Sequence, residues 1–259
     1  MELDQAPDLG ADPVSVHFVG AGPGAADLLT LRAVSLLAAA DVVLYPGTYL
    51  DAAVLGHCRD GARLVDTQSL DLDEMVEVMV AADRAGLDVV RLTSGDPSLY
   101  SALAEQTRRL DAAAVTWDVT PGVASYAAAA AVVGRELTVP LVSQSVVLTR
   151  VQARSTAMPS TESLAAFAAT RATLALHLAI TRIREVMTEL EVDYGRTCPV
   201  VVVHRASQPE QLVLRGTVVD IADQVEAAGL RQAAVILVGP ALARDGGESY
   251  LYSAARDRA

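Results

Sequence analysis

The stretch Val14-Ser15-Val16-His17-Phe18-Val19-Gly20-Ala21-Gly22-Pro23-Gly24 is a run of β-forming residues that ends abruptly in glycines. Branched and aromatic side chains favour a strand, and the glycines allow a tight turn that no strand or helix continues through. Directly after it, Leu28 to Ala39 places Leu28, Leu31, Leu36 and Leu37 on one side of a helical repeat. The unit is strand, glycine turn, helix, and it recurs. Val89 to Thr93 runs into Ser94-Gly95-Asp96-Pro97 ahead of a helix over 98–110. Val115 to Val119 runs into Pro121-Gly122 ahead of an Ala-rich helix that reaches Val133. Short strands at Asp41–Tyr45 and Arg63–Asp66, and a helix over Asp73–Ala85 stopped by Gly86, fill the interval between the first two glycine loops.

Strands alternating with helices over short links predict an α/β fold whose mostly parallel sheet is covered on both faces. A break falls at Gly134 to Pro140. Beyond it the pattern predicts strands at Leu141–Thr149, Thr173–Leu178, Val200–His204, Gln211–Arg215 and Ala234–Val238. Helices fit at Ser163–Thr170, Thr181–Leu190 and Val218–Ala227. The link Arg205 to Glu210 is too short for a helix, so its two strands form a hairpin and the second sheet is mixed. Two α/β domains follow, over 14–137 and 138–243, with tails at 1–13 and 244–259.

A net charge of -12 repels phosphate backbones, and 4% aromatics leave few stacking platforms, so nucleic acid is not an expected partner. Although 52% of the residues are apolar, the longest apolar run, Val123 to Val133, is too short to span a bilayer. The opening Met1 to Asp8 is acidic with no apolar block behind it, which predicts a cytoplasmic protein. Cys58 and Cys198 stand far apart and read as reduced structural residues. His17, His57, His177 and His204 lack metal-ligand spacing, so no metal is expected.

Glycines after a first strand invite a dinucleotide reading, which the details resist. Pro23 removes a donor from the turn. The second strand ends in Tyr45-Pro46-Gly47, with no acid for a ribose. No Gly-Lys-Ser/Thr follows any glycine loop, which excludes a P-loop. Taken locally, Asp96-Pro97 reads as a helix start with Asp96 as N-cap. Taken together, three loops that follow strands of one parallel sheet gather at its carboxyl edge, where α/β proteins bind ligands.

Gly20-Ala21-Gly22-Pro23-Gly24, with Asp27-Leu28-Leu29-Thr30 after it, resembles the N-terminal signature of the tetrapyrrole (corrin/porphyrin) methylases. Gly95-Asp96-Pro97-Ser98-Leu99-Tyr100 resembles their second signature, and Pro121-Gly122-Val123-Ala124-Ser125 their third. The resemblance spans Val14 to Leu242. Within the family, Ser143–Arg150, Arg205–Gln211 and Ile236–Leu242 are most similar to the branch that methylates C11 of a corrin precursor, with C17 or C20 as neighbouring alternatives. Ala25-Ala26-Asp27 departs from the common Asp-Pro-Glu, and Ser94 and Ala124-Ser125 depart from the C2/C7 methylases.

The resemblance implies a class III methyltransferase-like fold and a homodimer. It also implies S-adenosylmethionine as cofactor, leaving as S-adenosylhomocysteine, lying between the domains and held largely by backbone groups. Carried over by motif, the cofactor contacts are Pro23, Ser94, Gly95, Asp96, Leu99, Ala124, Ser125, Leu178 and Ala206. The implied substrate is a carboxylate-rich tetrapyrrole, metal-free or cobalt-bearing. Tyr100, Arg150, Arg154 and Arg205 are the candidate substrate contacts, since guanidinium forks pair with carboxylates. No catalytic residue is assigned, because an activated sulfonium needs alignment more than a nucleophile. From a different class, a non-catalytic nucleotide-binding α/β protein would show similar loops.

Overall fold

The computed structural model describes residues 14–47, 50–151, 157–243 and 249, which fall into two units that part between Ala124 and Ser125. In the first unit the chain runs β1 (Val16–Gly20), α1 (Leu31–Ala39), β2 (Val42–Tyr45), α2 (Ala52–Leu55) and β3 (Arg63–Asp66). It continues through α3 (Leu72–Arg84), β4 (Val89–Thr93), α4 (Leu103–Ala112) and β5 (Trp117–Thr120). The five strands pair in the order β3-β2-β4-β1-β5, every pair parallel.

Alternation along the strands sends side chains to opposite faces. Val16, Phe18, Val42, Leu44 and Val89 pack against Met79 and Ala82 of α3 and Leu110 of α4. Val19, Val43, Val90 and Leu92 pack on the other face, against Ala33 and Leu37 of α1 and Val54 of α2. The chain therefore leaves β1 towards one face and β4 towards the other. Because these two strands are neighbours, a topological switch point lies at their carboxyl ends.

Local chemistry sets the helix starts. Asp71 and Glu74 form a reciprocal capping box on α3, with side chain to backbone distances of 2.9 and 2.8 Å. The Thr30 hydroxyl accepts from the Ala33 N–H, so α1 begins at Leu31, later than the leucine pattern suggests. The turn Ala26–Leu28 before it is a 3-10 helix. The one-turn α2 carries no periodicity that a sequence reading can detect.

The second unit runs α5 (Ser125–Val133), β6 (Val146–Arg150), α6 (Leu164–Ala168), β7 (Thr173–His177) and α7 (Ile183–Tyr194). Then come β8 (Pro199–His204), β9 (Leu212–Thr217), α8 (Ile221–Ala227) and β10 (Ala234–Val238). The strand order is β6-β7-β10-β8-β9. Only β6 and β7 pair in parallel, so this sheet is mixed, as the hairpin link predicts. Leu174, Leu176, Val200, Val202, Ile236 and Val238 meet Ile183, Val186, Met187 and Leu190 of α7 and Ile221 and Val225 of α8. The units part ahead of the 137/138 boundary drawn from sequence, because the Ala-rich α5 packs on β10. Gly134 to Pro140 is a loop inside the second unit. No helix among the described residues is long and apolar enough to cross a membrane.

Trp117 is the sole tryptophan and stands edge-on to Phe18, with centroids 6.3 Å apart and planes at 83°, so its fluorescence reports on the first unit. Replacing the fully buried Leu110 by alanine should cost about 2–5 kcal/mol and lower the urea midpoint read from that fluorescence. An unchanged midpoint would contradict the packing of α4 on this sheet.

Candidate active site

The strands β4, β1 and β5 are adjacent, and their carboxyl ends carry the three glycine loops. Past the last strand pairing, Gly22 and Gly95 exchange both backbone hydrogen bonds, at 3.1 and 2.8 Å, in an isolated antiparallel bridge. Both have φ of 70°, the left-handed region that glycine adopts without strain. The third loop is pressed into the first two. A Cβ on Gly122 would lie 2.3 Å from the Gly95 carbonyl oxygen and 2.8 Å from the Gly20 Cα. A Cβ on Gly20 would lie 2.4 Å from the Gly122 nitrogen. Three backbones thus touch with no side chain between them.

Asp96 ties this junction electrostatically. One carboxylate oxygen accepts the Gly122 N–H at 2.9 Å; the other accepts the Ser98 N–H at 2.8 Å and the Ser98 hydroxyl. The N-cap reading of Asp96 is corrected here. The helix expected from Ser98 begins only at Leu103, after a segment in which Tyr100 and Ala102 take left-handed φ of 54° and 56°. Asp96 instead closes an Asx turn and joins the second loop to the third. Partial burial disfavours its charged form. The hydrogen bonds from the Ser98 hydroxyl, the Gly122 N–H and the Ser98 N–H outweigh that and hold its pKa below the ordinary carboxylate value.

Around the junction, Pro23 and Gly95 are buried, Ser94 is exposed, Leu99 is half-buried and Tyr100 is exposed. Ala124 closes the first unit and Ser125 opens α5 in the second. Within the second unit, β10 runs antiparallel to both β7 and β8, so β6, β7 and β8 point the same way. Their carboxyl ends share one edge. Arg150 ends β6 opposite His177, and the exposed Leu178 follows β7 with φ of 53°. Arg205 and the buried Ala206 follow β8 on that edge. Arg205 has φ of 46° and pairs with Glu210 at 3.2 Å. Arg154 lies outside the described residues.

Left-handed non-glycine residues cost about 1–3 kcal/mol each and persist where the surroundings over-determine them, often at functional sites. Tyr100, Leu178 and Arg205, all singled out from sequence, are among the nine described here. The glycine segments 20–24, 94–97 and 121–124 hold no Cys or His, and their one carboxylate, Asp96, accepts three hydrogen bonds.

Over residues 15–222 the chain matches the family model of the Tetrapyrrole (Corrin/Porphyrin) Methylases. The chain belongs to the tetrapyrrole methylases. A precorrin-4 C(11)-methyltransferase of Rhodococcus erythropolis is 54% identical to it, over 95% of this chain and 99% of the relative. The solved structure of a cobalt precorrin-4 methyltransferase superposes with a TM-score of 0.85 at 39% identity, covering 88% of this chain and 95% of that one. A uroporphyrin-III C-methyl transferase from Thermus thermophilus, solved in complex with S-adenyl homocysteine, gives 0.73 at 27% identity, covering 88% and 98%. In this tetrapyrrole methylase the three signatures are the three sides of one glycine junction.

Asp96→Ala should cost roughly 1–3 kcal/mol at pH 7, since the Gly122 N–H loses a charged acceptor. The folded pKa is depressed, so this stabilisation is full above the unfolded value and lost as pH falls through the folded one. Urea midpoints of wild type and variant should therefore converge on acidification below about pH 4. A gap as wide at pH 3 as at pH 7 would show that the charge is not what Asp96 contributes.

Proposed function

We propose that this chain transfers a methyl group from S-adenosylmethionine to C11 of precorrin-4, yielding precorrin-5 and S-adenosylhomocysteine in corrin biosynthesis. The observation that carries the reading is the backbone junction of Gly20, Gly95 and Gly122 at the carboxyl edge of the first sheet, where a Cβ on Gly20 or Gly122 would collide. The 54% identity to a precorrin-4 C(11)-methyltransferase supports the ring position. Cobalt-precorrin-4 is the second reading. It is favoured by the 39% identity to a cobalt-precorrin-4 C(11)-methyltransferase of Methanocaldococcus jannaschii, which is the more distant of the two relatives.

The residues fit the cofactor. Small residues and backbone line the loops, and Asp96 is kept ionised, able to accept a hydrogen bond from a hydroxyl or amino group. In this reading Pro23, Ser94, Gly95, Asp96, Leu99, Ala124 and Ser125 hold the cofactor, with Leu178 and Ala206 from the second unit. The bound cofactor supplies a methyl group already activated by a sulfonium. The protein aligns donor and acceptor, and orientation of this kind is worth about 7–11 kcal/mol.

A chain of net charge -12 meets a polycarboxylate only where local cations outweigh distant acids, which salt screens. Arg150, Arg154 and Arg205 are the arginines for that role, and Tyr100 packs on the ring. Exchanging the exposed Glu210 partner of Arg205 for a substrate carboxylate costs little. The same reading makes the enzyme a cytoplasmic homodimer that needs no metal of its own.

Incubation with methyl-labelled S-adenosylmethionine and metal-free or cobalt-bearing precorrin-4, read by mass and NMR, should place the label on C11. Arg150→Ala and Arg205→Ala should weaken tetrapyrrole binding about tenfold or more and leave S-adenosylhomocysteine affinity nearly unchanged. Arginine to lysine should recover part of the loss. Label at another carbon would move the ring position. Cofactor binding without transfer to any tetrapyrrole would favour a non-catalytic nucleotide-binding protein.

A further inference from the structure

Arg91 sits in the middle of β4, 7% exposed, on the face covered by α3 and α4. Its guanidinium donates to the Leu92 carbonyl at 2.6 Å, to Gln106 Oε1 at 3.2 Å and to Met75 Sδ at 3.5 Å. None of these is a carboxylate. Burial pushes its pKa down to about 10, so it still carries charge at neutral pH. A buried cation without a counter-charge is costly, and an apolar side chain of similar size would serve the core at least as well. The donors must therefore serve a geometric purpose.

Gln106, itself fully buried, identifies that purpose. Its Oε1 accepts from Arg91 Nε, while its Nε2 donates to the Ser101 and Ala102 carbonyls, each at 3.1 Å. An amide can flip and exchange its oxygen for its nitrogen. An arginine has only donors to offer, so it forbids the flip and leaves the nitrogen facing the two carbonyls. Those carbonyls end the segment 97–102, which holds left-handed Tyr100 and Ala102 and leads into α4 with no side-chain N-cap. The Ser101 hydroxyl, bonded back to the Pro97 carbonyl, closes the same segment on itself.

We propose that Arg91 and Gln106 are positioning residues: Arg91 fixes the orientation of the Gln106 amide, which holds segment 97–102 in the conformation that presents Leu99 and Tyr100 to cofactor and tetrapyrrole. The inference rests on the reading of Leu99 and Tyr100 as ligand contacts. Neither residue touches a ligand; both act through the backbone of the segment between them.

The full-length chain and its Arg91→Met, Arg91→Lys, Gln106→Glu, Leu99→Ala and Tyr100→Ala variants test this by thermal melting, calorimetry with S-adenosylhomocysteine and steady-state kinetics with precorrin-4. Arg91→Met removes the buried charge but leaves Gln106 Oε1 without its donor, two effects that oppose each other, and should stay folded with a cooperative melt near that of wild type. Gln106→Glu keeps an acceptor for Arg91 but loses the donor to Ser101 and Ala102, and should also stay folded. Both should bind S-adenosylhomocysteine about tenfold more weakly, the size of one lost hydrogen bond. Both should raise the precorrin-4 KM by more than they lower kcat. Arg91→Lys, which keeps a donor for Oε1, should recover most of the loss.

If Arg91→Met and Gln106→Glu stay folded with wild-type affinities while Leu99→Ala or Tyr100→Ala weakens binding, the positioning role is overturned and the ligand reading stands. If Leu99→Ala and Tyr100→Ala also bind as wild type, the ligand reading of this segment falls and takes the proposal with it. Loss of cooperative melting in both Arg91→Met and Gln106→Glu would make the pair a core contact and overturn the proposal as well.

Discussion

A Cβ on Gly122 would come within 2.3 Å of the Gly95 carbonyl oxygen, and the rest of the first unit's carboxyl edge is arranged around the absence of that atom. Parallel strands bring three loops to one edge but do not by themselves hold them together. The contact of Gly20, Gly95 and Gly122, the paired bonds of Gly22 with Gly95, and the Asp96 carboxylate on the Gly122 N–H convert them into one body. Each tie joins backbone to backbone or to a short side chain, which keeps rotameric freedom low. Two of the three strands below, β1 and β4, are buried on both faces, so the junction stands on the stiffest part of the unit.

That stiffness suits the chemistry. A methyl transfer that needs alignment gains most from groups held within a fraction of an ångström, and loops usually supply this less well than strands or helices. Here the first two loops are bridged to each other, the third is pressed into them, and all begin where the sheet registers end. The same economy extends to segment 97–102, whose left-handed residues are braced from beneath by a buried amide rather than by a cap of their own. On the second sheet, Leu178 and Arg205 repeat the pattern of left-handed residues placed just past strand ends.

Much of this was legible in the residues. The alternation of branched strands, glycine loops and leucine-patterned helices specified a parallel sheet followed by a mixed one, because period and turn chemistry act locally. The glycine positions also marked where the loops meet, since only glycine permits so close an approach. The misreading of Asp96 has a physical cause. Asp-Pro is a local helix-start signal, whereas its true partner, Gly122, lies on another strand's loop and leaves no trace nearby. Arg91 was hidden for a similar reason. Within Val89-Val90-Arg91-Leu92-Thr93 it reads as one polar residue in a strand, and only the packing of α4 brings Gln106 to it. The boundary between units moved because an Ala-rich helix offers no face that announces which sheet it will cover.

Hydrogen exchange followed by mass spectrometry, with and without saturating S-adenosylhomocysteine, is the most direct test that the glycine junction is the cofactor site. Backbone groups that hold a ligand exchange more slowly when it is bound. Protection should concentrate in peptides covering 20–24, 94–100 and 121–125, with lesser protection around 178 and 206. Binding that protects none of the three loops would contradict the account.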